Sequence, residues 1–499
     1  MITRPPRNPH LLEINTFTFL SRIREKYQQQ FSLSEVPVQE WESMAHSGFH
    51  MIWLMGVWER SQLSRISALS EDELRKQYDL ALPGWEESDV RGSPYAVHSY
   101  LLDPFLGSPD ELPAVKEAIN RSGLALILDF VPNHLSVDHP WTQEHPEYFV
   151  PGSREDLIRH PGLFFETPHG DVIAHGKDPY FESWKDTAQI NFFSPQAREN
   201  LIQALVGISH LADGVRCDMA MLALNGVFQN TWRGFLGETH PPHNEFWSEA
   251  IGKVKHICPS FLFLAEVYWD LEKELQDLGF DYTYDKRLYD LISHGSASQI
   301  GEYLSSSGMI FQERAVRFIE NHDEPRARSR FGQEKSFTAA AIICSLPGLH
   351  LFHEGQMEGY SVHLPVQLKR RMHEKPDHLC QEFYQRLLLF TSHEIFRDGT
   401  WELLDLSPAW EGNIRYRNLL AWSWRMDENL RIIVVNFSDE SSQGRVHIPP
   451  EYISQDPVIL KDTSTDALYE RDPGELSRLG LYVDLAAWKI HLFEITLTG

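Results

Sequence analysis

Four short segments set carboxylates beside other polar side chains, each just after an apolar run. Residues 124–129 lead into Asp129-Phe130-Val131-Pro132-Asn133-His134, and residues 212–218 end in Gly214-Val215-Arg216-Cys217-Asp218. Residues 261–266 end in Ala265-Glu266 before Val267, and residues 317–323 close on Glu320-Asn321-His322-Asp323. One aspartate after a strand is more often a helix cap than a reactive group, Arg216 could simply pair with a neighbouring acid, and His134 and His322 could be packed polar residues. Four acids at one pocket mouth are harder to explain that way. Like charges repel, and such a cluster costs stability unless chemistry uses it.

The chemistry that wants this set is glycoside hydrolysis. One carboxylate attacks or stabilises the anomeric carbon, and a second, kept protonated, donates to the leaving oxygen. Asp218 and Glu266 fall on consecutive candidate strands, where neighbours approach the separation of about 5–5.5 Å that retention requires. Arg216 lies two positions before Asp218, on the same strand face, and would keep it ionised. Phe263, Leu264, Tyr268 and Trp269 would desolvate Glu266 and favour its acid form. Asp323 would be a third carboxylate, binding sugar hydroxyls and favouring the distorted transition state. Which of Asp218 and Glu266 attacks is left open by the chemistry alone.

The elements that must hold these groups alternate between short strands and helices. Strands are predicted at 12–19, 51–57, 124–131, 212–217, 261–267, 317–320 and 349–352. Helices are predicted from Ser70 with Glu73 (capping-box spacing), from Ser108-Pro109, from Ser194-Pro195, and over 337–346. Repeated strand–helix units imply a mainly parallel sheet under helices, as a closed barrel or an open doubly wound sheet. Strand-end carboxylates suit the barrel, whose reactive groups gather at that face. No GxGxxG or GxxxxGK[ST] follows an early strand, which disfavours nucleotide binding. Residues 135–191, rich in His, Pro, Gly and aromatics, show no clear helix and predict an inserted subdomain or lid. From about Thr400 the pattern alternates, as at 419–424, 430–437 and 489–496, and predicts a C-terminal antiparallel β domain.

A chain of 499 residues exceeds one usual domain, so a main domain with an appended one is expected. The formal charge of −26 argues against a nucleic-acid or anionic-membrane partner. The four cysteines, Cys217, Cys258, Cys344 and Cys380, have no metal-site spacing and suit a reducing compartment. Met1-Ile2-Thr3-Arg4-Pro5-Pro6 carries no apolar leader pattern, and no run of 18 apolar residues occurs, so a cytoplasmic location without a membrane partner is expected.

In order and spacing these motifs resemble the conserved regions of the α-amylase superfamily, glycoside hydrolase family 13. Residues 129–134 resemble its first region, 214–218 its second, 264–267 its third and 318–323 its fourth. Ser93-Pro94-Tyr95-Ala96-Val97 with Asp103-Pro104-Phe105-Leu106-Gly107 resembles the stretch after the second strand. Gln189-Ile190-Asn191 resembles a conserved stretch late in the inserted domain, and residues 347–355 resemble the eighth-strand segment. The resemblance implies a (β/α)₈ TIM barrel over 1–134 and 192–395, an inserted B domain after the third strand at 135–191, and a C-terminal antiparallel β-sandwich domain over 396–499. It implies Asp218 as nucleophile, Glu266 as acid/base and Asp323 as transition-state stabiliser. Tyr95, His134, Arg216 and His322 would bind the substrate, Tyr95 by stacking on the sugar.

The same resemblance implies a retaining α-glycosidase acting on malto-oligosaccharides or α-glucans, with an α-glucan glycosyltransferase or sugar isomerase as the alternative. A non-catalytic interaction subunit would have lost the carboxylate set, which this chain keeps. Asp218 is followed by Met219-Ala220-Met221-Leu222 where ordinary α-amylases carry Lys-His, and Ala96 replaces a usual aspartate. No cofactor is required by the chemistry. Calcium is left open, with Asn133 matching one ligand and no other assigned in 135–191.

Overall fold

The computed structural model describes residues 5–453 and 457–496. Most of the opening segment, residues 1–4, lies outside them. Eight strands form a closed barrel: β1 (His10–Asn15), β2 (Met51–Met55), β3 (Ala125–Phe130), β4 (Gly214–Cys217), β5 (Leu262–Ala265), β6 (Tyr282–Tyr284), β7 (Ala315–Arg317) and β8 (Leu349–His353). Each neighbours its sequence successors, and the sheet closes β8 onto β1. Pairing is parallel at β2–β3, β3–β4, β4–β5, β5–β6 and β7–β8. Every residue of β1 to β5 is buried, which is why β2, β3 and β5 read as near-continuous apolar runs rather than alternating ones. The closed barrel decides between the two sheet topologies left open by the pattern.

Several boundaries move, each for a local reason. The first strand is His10–Asn15, not 12–19, because Asn15 accepts from the Thr18 N–H and starts a helix over Thr16–Tyr27. Ser70 closes one helix, Gln62–Ser70, instead of opening the next, which is Asp72–Ala81. The helix expected at 337–346 begins at Ala327 and is interrupted at Gly332, whose φ of 71° lies in the left-handed region. β7 stops at Arg317, three residues before Glu320.

The chain divides into two compact units. The first comprises Leu12–Tyr284 with His363–His373. Between its β3 and β4, His134–Ser136 pairs antiparallel with Thr187–Gln189, and Phe164–Glu166 with Val172–Ala174. Two short helices, Trp141–Glu144 and Arg154–Arg159, also lie there. They are too brief to leave a clear helical period in the sequence.

The second unit takes in Pro6–Leu11, Asp285–Val362 and the chain from Glu374 onward. Its C-terminal part holds an antiparallel six-stranded sheet, in the order Thr400–Leu403, Leu419–Met426, Asn429–Asn436, Ile490–Thr496, Val458–Asp462 and Ala467–Arg471. A three-stranded sheet of Leu406–Ser407, Ser442–Val446 and Leu481–Leu485 accompanies it. Leu430, Ile432 and Val434 from the first sheet share a core with Val446, Leu481, Val483 and Leu485 from the second. The opposite face of the large sheet is buried as well. Trp424 Nε1 donates to the Ser345 carbonyl at 2.7 Å, tying that face to the end of the helix Ala327–Ser345. Burial on both faces explains the near-continuous apolar run of Leu419–Trp424.

Candidate active site

β4 and β5 run in register, with Cys217 opposite Ala265. Asp218 and Glu266 therefore follow their strands at the same level. The ladder continues through them: the Asp218 N–H donates to the Phe130 carbonyl at 2.9 Å, and the Glu266 N–H to the Cys217 carbonyl at 3.0 Å. Gly214 permits this close packing, since a Cβ there would sit 2.7 Å from the Leu262 carbonyl oxygen and 2.8 Å from Ile127 Cδ1.

Arg216 is 1% exposed and serves both acids. Its Nη1 donates to Asp218 Oδ1 at 2.6 Å, and its Nη2 forms an ion pair with Glu266 Oε2 at 2.8 Å. The guanidinium lies among three aromatic rings, at 5.2 Å from the centroid of Trp53, 5.4 Å from Tyr95 and 5.8 Å from Tyr284. Burial by itself would lower the Arg216 pKa. The charge of Glu266, the phenols of Tyr95 and Tyr284 and the charge of Asp218 outweigh it and raise the pKa well above the ordinary value. The arginine is a permanent cation.

Glu266 is held at both oxygens. Its Oε2 also accepts the Met219 N–H at 2.7 Å, and its Oε1 accepts from the Tyr268 hydroxyl at 2.7 Å. Burial pushes its carboxyl above the usual range. Arg216, the Met219 N–H and the Tyr268 hydroxyl pull it down, the charge of Asp218 adds to the rise, and burial prevails. A carboxyl biased towards its protonated form therefore shares one guanidinium with a second carboxyl group.

The other expected residues have definite places. Asp129 accepts from Trp53 Nε1 at 3.1 Å and from the Gly56 N–H at 2.7 Å, so it orients the indole beneath Arg216. His134 packs on Trp184 with ring centroids 5.0 Å apart, and burial brings its pKa down to about 4, leaving the ring neutral at pH 7. Tyr100 is a buttress: its hydroxyl donates to the Val131 carbonyl at 3.0 Å and accepts the Val131 N–H at 3.1 Å. Trp53 and Tyr284 were not singled out from sequence, because an aromatic inside an apolar strand reads as core.

In the second unit, His322 is 2% exposed and its Nε2 lies 3.2 Å from Asp323 Oδ2. The Asp323 carboxylate itself is 52% exposed. Asn321 Oδ1 accepts the N–H groups of Asp323 at 2.9 Å and Glu324 at 2.8 Å, fixing the turn that presents them.

Asn133, the candidate calcium ligand, is otherwise engaged. Gln189 Nε2 donates to Asn133 Oδ1 and to the Asn133 carbonyl at 2.9 Å each, and to the Ile190 carbonyl at 3.1 Å. Gln189 Oε1 accepts from Asn133 Nδ2 at 3.2 Å and from the Lys177 N–H at 3.3 Å. The Gln189 amide N–H group thus stands where these three oxygens converge. Among the described residues no group of three His, Cys, Asp or Glu side chains could hold a metal.

A (β/α)₈ barrel with an inserted antiparallel segment, a terminal β domain and paired acids past β4 and β5 defines a class of carbohydrate-processing barrels. The catalytic domain of the alpha-amylase family matches residues 48–402, more than half of the chain, and the chain belongs to that family. Alpha-amylase 3 of Dictyoglomus thermophilum is 26% identical over 285 residues, covering 52% of this chain and 53% of that protein. An alpha-1,4-glucan:maltose-1-phosphate maltosyltransferase of Rhodospirillum rubrum is 26% identical over 277 residues, covering 52% of this chain and 35% of that one. The chain thus spans about half, or less, of the curated relatives it matches. Among solved structures, a noncanonic maltogenic alpha-amylase from Thermotoga neapolitana superposes with a TM-score of 0.69 at 16% identity, over 98% of this chain and 99% of its own. The cyclic alpha-maltosyl-(1→6)-maltose hydrolase of Arthrobacter globiformis gives 0.64 at 14%, over 98% of each. These superpositions carry the fold.

Proposed function

We propose that the chain is a retaining enzyme acting on α-glucosidic bonds of malto-oligosaccharides or α-glucans by double displacement. One observation carries the reading: a single buried guanidinium bridges Asp218 and Glu266, and burial biases Glu266 towards its acid form. In the first step Asp218 attacks the anomeric carbon as the Glu266 proton passes to the departing glycosidic oxygen. The products are a glycosyl ester on Asp218 and a free sugar hydroxyl. In the second step Glu266, now a carboxylate, takes a proton from the incoming hydroxyl, whose oxygen displaces Asp218 and restores the α configuration. Oε2 of Glu266 faces the Arg216 cation and the Met219 N–H while Oε1 faces the neutral Tyr268 hydroxyl, so the transferable proton belongs on Oε1. Asp323, with His322, holds the sugar hydroxyls, Tyr95 stacks on the ring and His134 serves as a neutral hydrogen-bonding group. No cofactor enters these steps, and we propose that none is required.

A second reading, transfer to another sugar, has its own support. Tyr180 and Phe181 are 69% and 71% exposed, and Tyr180 meets Trp269 edge-on at 4.9 Å, three residues past Glu266. Exposed rings there offer a platform on which an acceptor sugar competes with water. Two relatives bear the name alpha-1,4-glucan:maltose-1-phosphate maltosyltransferase, which supports transfer as the second reading.

The substrate is neutral and the surface strongly acidic, which suits a carbohydrate rather than a nucleic-acid partner. No helix among the described residues is long and apolar enough to cross a membrane. The four cysteines are free thiols, three of them buried, in support of a reducing, cytoplasmic setting.

The test is incubation with maltoheptaose, following products by mass and anomeric configuration, with Asp218→Asn as control. Shorter α-products that vanish in the variant are expected for hydrolysis. Longer products would move the assignment to transfer. No conversion of maltoheptaose, sucrose or trehalose, with or without phosphate, would overturn the α-glucoside reading.

A further inference from the structure

We infer that Glu320 and Arg326 are positioning residues that clamp the loop presenting His322 and Asp323, an inference that rests on the glycosidase reading above. The loop begins three residues beyond β7 and ends at the first residue of the helix Ala327–Ser345. Its two ends are tied by one carboxylate. Glu320 Oε1 accepts from Arg326 Nη1 at 2.6 Å, and Glu320 Oε2 accepts the Ala327 N–H at 2.6 Å. The acid thereby also satisfies one open donor at a helix N-terminus, where negative charge is favoured.

Arg326 extends the clamp to two other segments. Its Nη1 lies within hydrogen-bond distance of His353 Nδ1, at 2.9 Å, and of the Glu354 carbonyl, at 2.8 Å, both at the end of β8. Its Nε reaches the Val362 carbonyl at 3.3 Å. Arg326, Glu320 and His353 have side chains only 2%, 1% and 8% exposed, whereas Asp323 at the loop's tip is 52% exposed. The base of the loop is therefore buried and cross-tied while its tip is open to solvent. Burial opposes the Glu320 charge, and Arg326, His353 and the Ala327 N–H overcome it.

Stability alone does not explain a buried ion cluster. Well-packed apolar side chains of similar volume commonly do as well or better, because they pay no desolvation cost. A guanidinium offers what apolar packing lacks, namely several donors in a rigid plane that fix three chain segments at defined angles. A carboxylate that must meet a transition state needs that definition, since a misplacement of about 1 Å costs on the order of 10²-fold in rate. Asn321 sets the turn locally. Glu320 and Arg326 set where that turn stands.

The experiment is a double-mutant cycle with maltoheptaose as substrate. Arg326→Met and the milder Arg326→Lys are each made in the wild-type and Asp323→Asn backgrounds, and melting temperature and backbone amide exchange over 320–327 accompany the kinetics. The expected result is a fall of about 10²-fold in kcat for Arg326→Met with KM changed by less than about threefold. A smaller fall is expected for Arg326→Lys, and little further loss once Asp323 is already Asn. Exchange should accelerate at the Asp323 and Glu324 amides. An Arg326 effect that multiplies undiminished onto Asp323→Asn, or unchanged exchange in that loop, would overturn the inference. Wild-type turnover in Asp323→Asn alone would instead remove the role given to Asp323, and exchange would still report whether Arg326 clamps the loop.

Discussion

The backbone N–H of Met219 donates to Glu266 Oε2 at 2.7 Å, so the residue after the proposed nucleophile holds the proposed acid. Met219 reaches that position with φ at 42°, in the left-handed region, which costs a non-glycine residue about 1–2 kcal/mol. Strain of this kind persists where the surroundings over-determine it, as at catalytic sites. The turn at Met219 thus couples the ends of β4 and β5, and with Arg216 it engages Oε2, leaving Oε1 with the Tyr268 hydroxyl.

The first prediction concerns pH. The Glu266 carboxyl stands above the usual range because of burial, so activity is expected to fall on the alkaline side as it deprotonates. The Tyr268 hydroxyl pulls that pKa down, and Tyr268→Phe should therefore move the alkaline limb of kcat/KM to higher pH, by up to about one unit. The linked stability has the opposite sense. A folded carboxyl raised above its unfolded value adds stability at low pH and loses it as pH rises through the folded value, so Glu266→Gln should stabilise the protein at neutral pH. A limb that stays put or moves down in Tyr268→Phe would contradict this account.

Arg216→Met tests the bridge itself. Two buried carboxylates would lose their shared cation, and removing one partner of a buried ion cluster costs about 3–5 kcal/mol. The loss should be largest near neutral pH and shrink in acid, where the carboxylates protonate. Chemical denaturation at several pH values measures it, and kcat/KM should drop by at least about 10²-fold.

Calcium provides a third test. With Gln189 Nε2 donating to three oxygens at Asn133 and Ile190, the melting temperature should be the same in EDTA and in calcium. Gln189→Ala should cost about 1–3 kcal/mol by leaving buried amide groups unpaired. Strong stabilisation of the wild type by calcium would show that the Gln189 side chain yields to a cation.

In the terminal β domain, Asp462 accepts from His491 Nδ1 at 2.7 Å, from Ser464 Oγ at 2.7 Å and from the Leu492 N–H at 3.1 Å. Burial opposes its charge, but these donors bring its pKa down to about 2. A depressed folded value gives stability that is present above about pH 4 and lost as pH falls towards 2. The stability gap between wild type and Asp462→Asn should accordingly be fully open above about pH 4 and close on acidification, read from urea midpoints.

What sequence alone determined about this protein is local or ordered along the chain. Apolar runs ending in Asp218 and Glu266 mark strand ends, because a strand buried on both faces must be apolar until it leaves the barrel. Arg216 shares a face with Asp218 because side chains alternate with a period of two, and the succession of motifs carried the family. Boundaries slipped where a cap outweighed an apolar pattern, as at Asn15, or where helices were too short to leave a period, as within 141–159. Tertiary structure decided the rest. Only the register of β4 against β5 lets one guanidinium serve two acids whose strands are separated by a whole helical layer of sequence. Only the closed sheet brings Trp53 and Tyr284 to that cation, only the fold of the inserted segment turns Gln189 onto Asn133, and only the placing of the loop after β7 beside the end of β8 turns Arg326 onto His353 and Glu354. These relationships join residues far apart in the chain, and their distances depend on packing that no local pattern encodes.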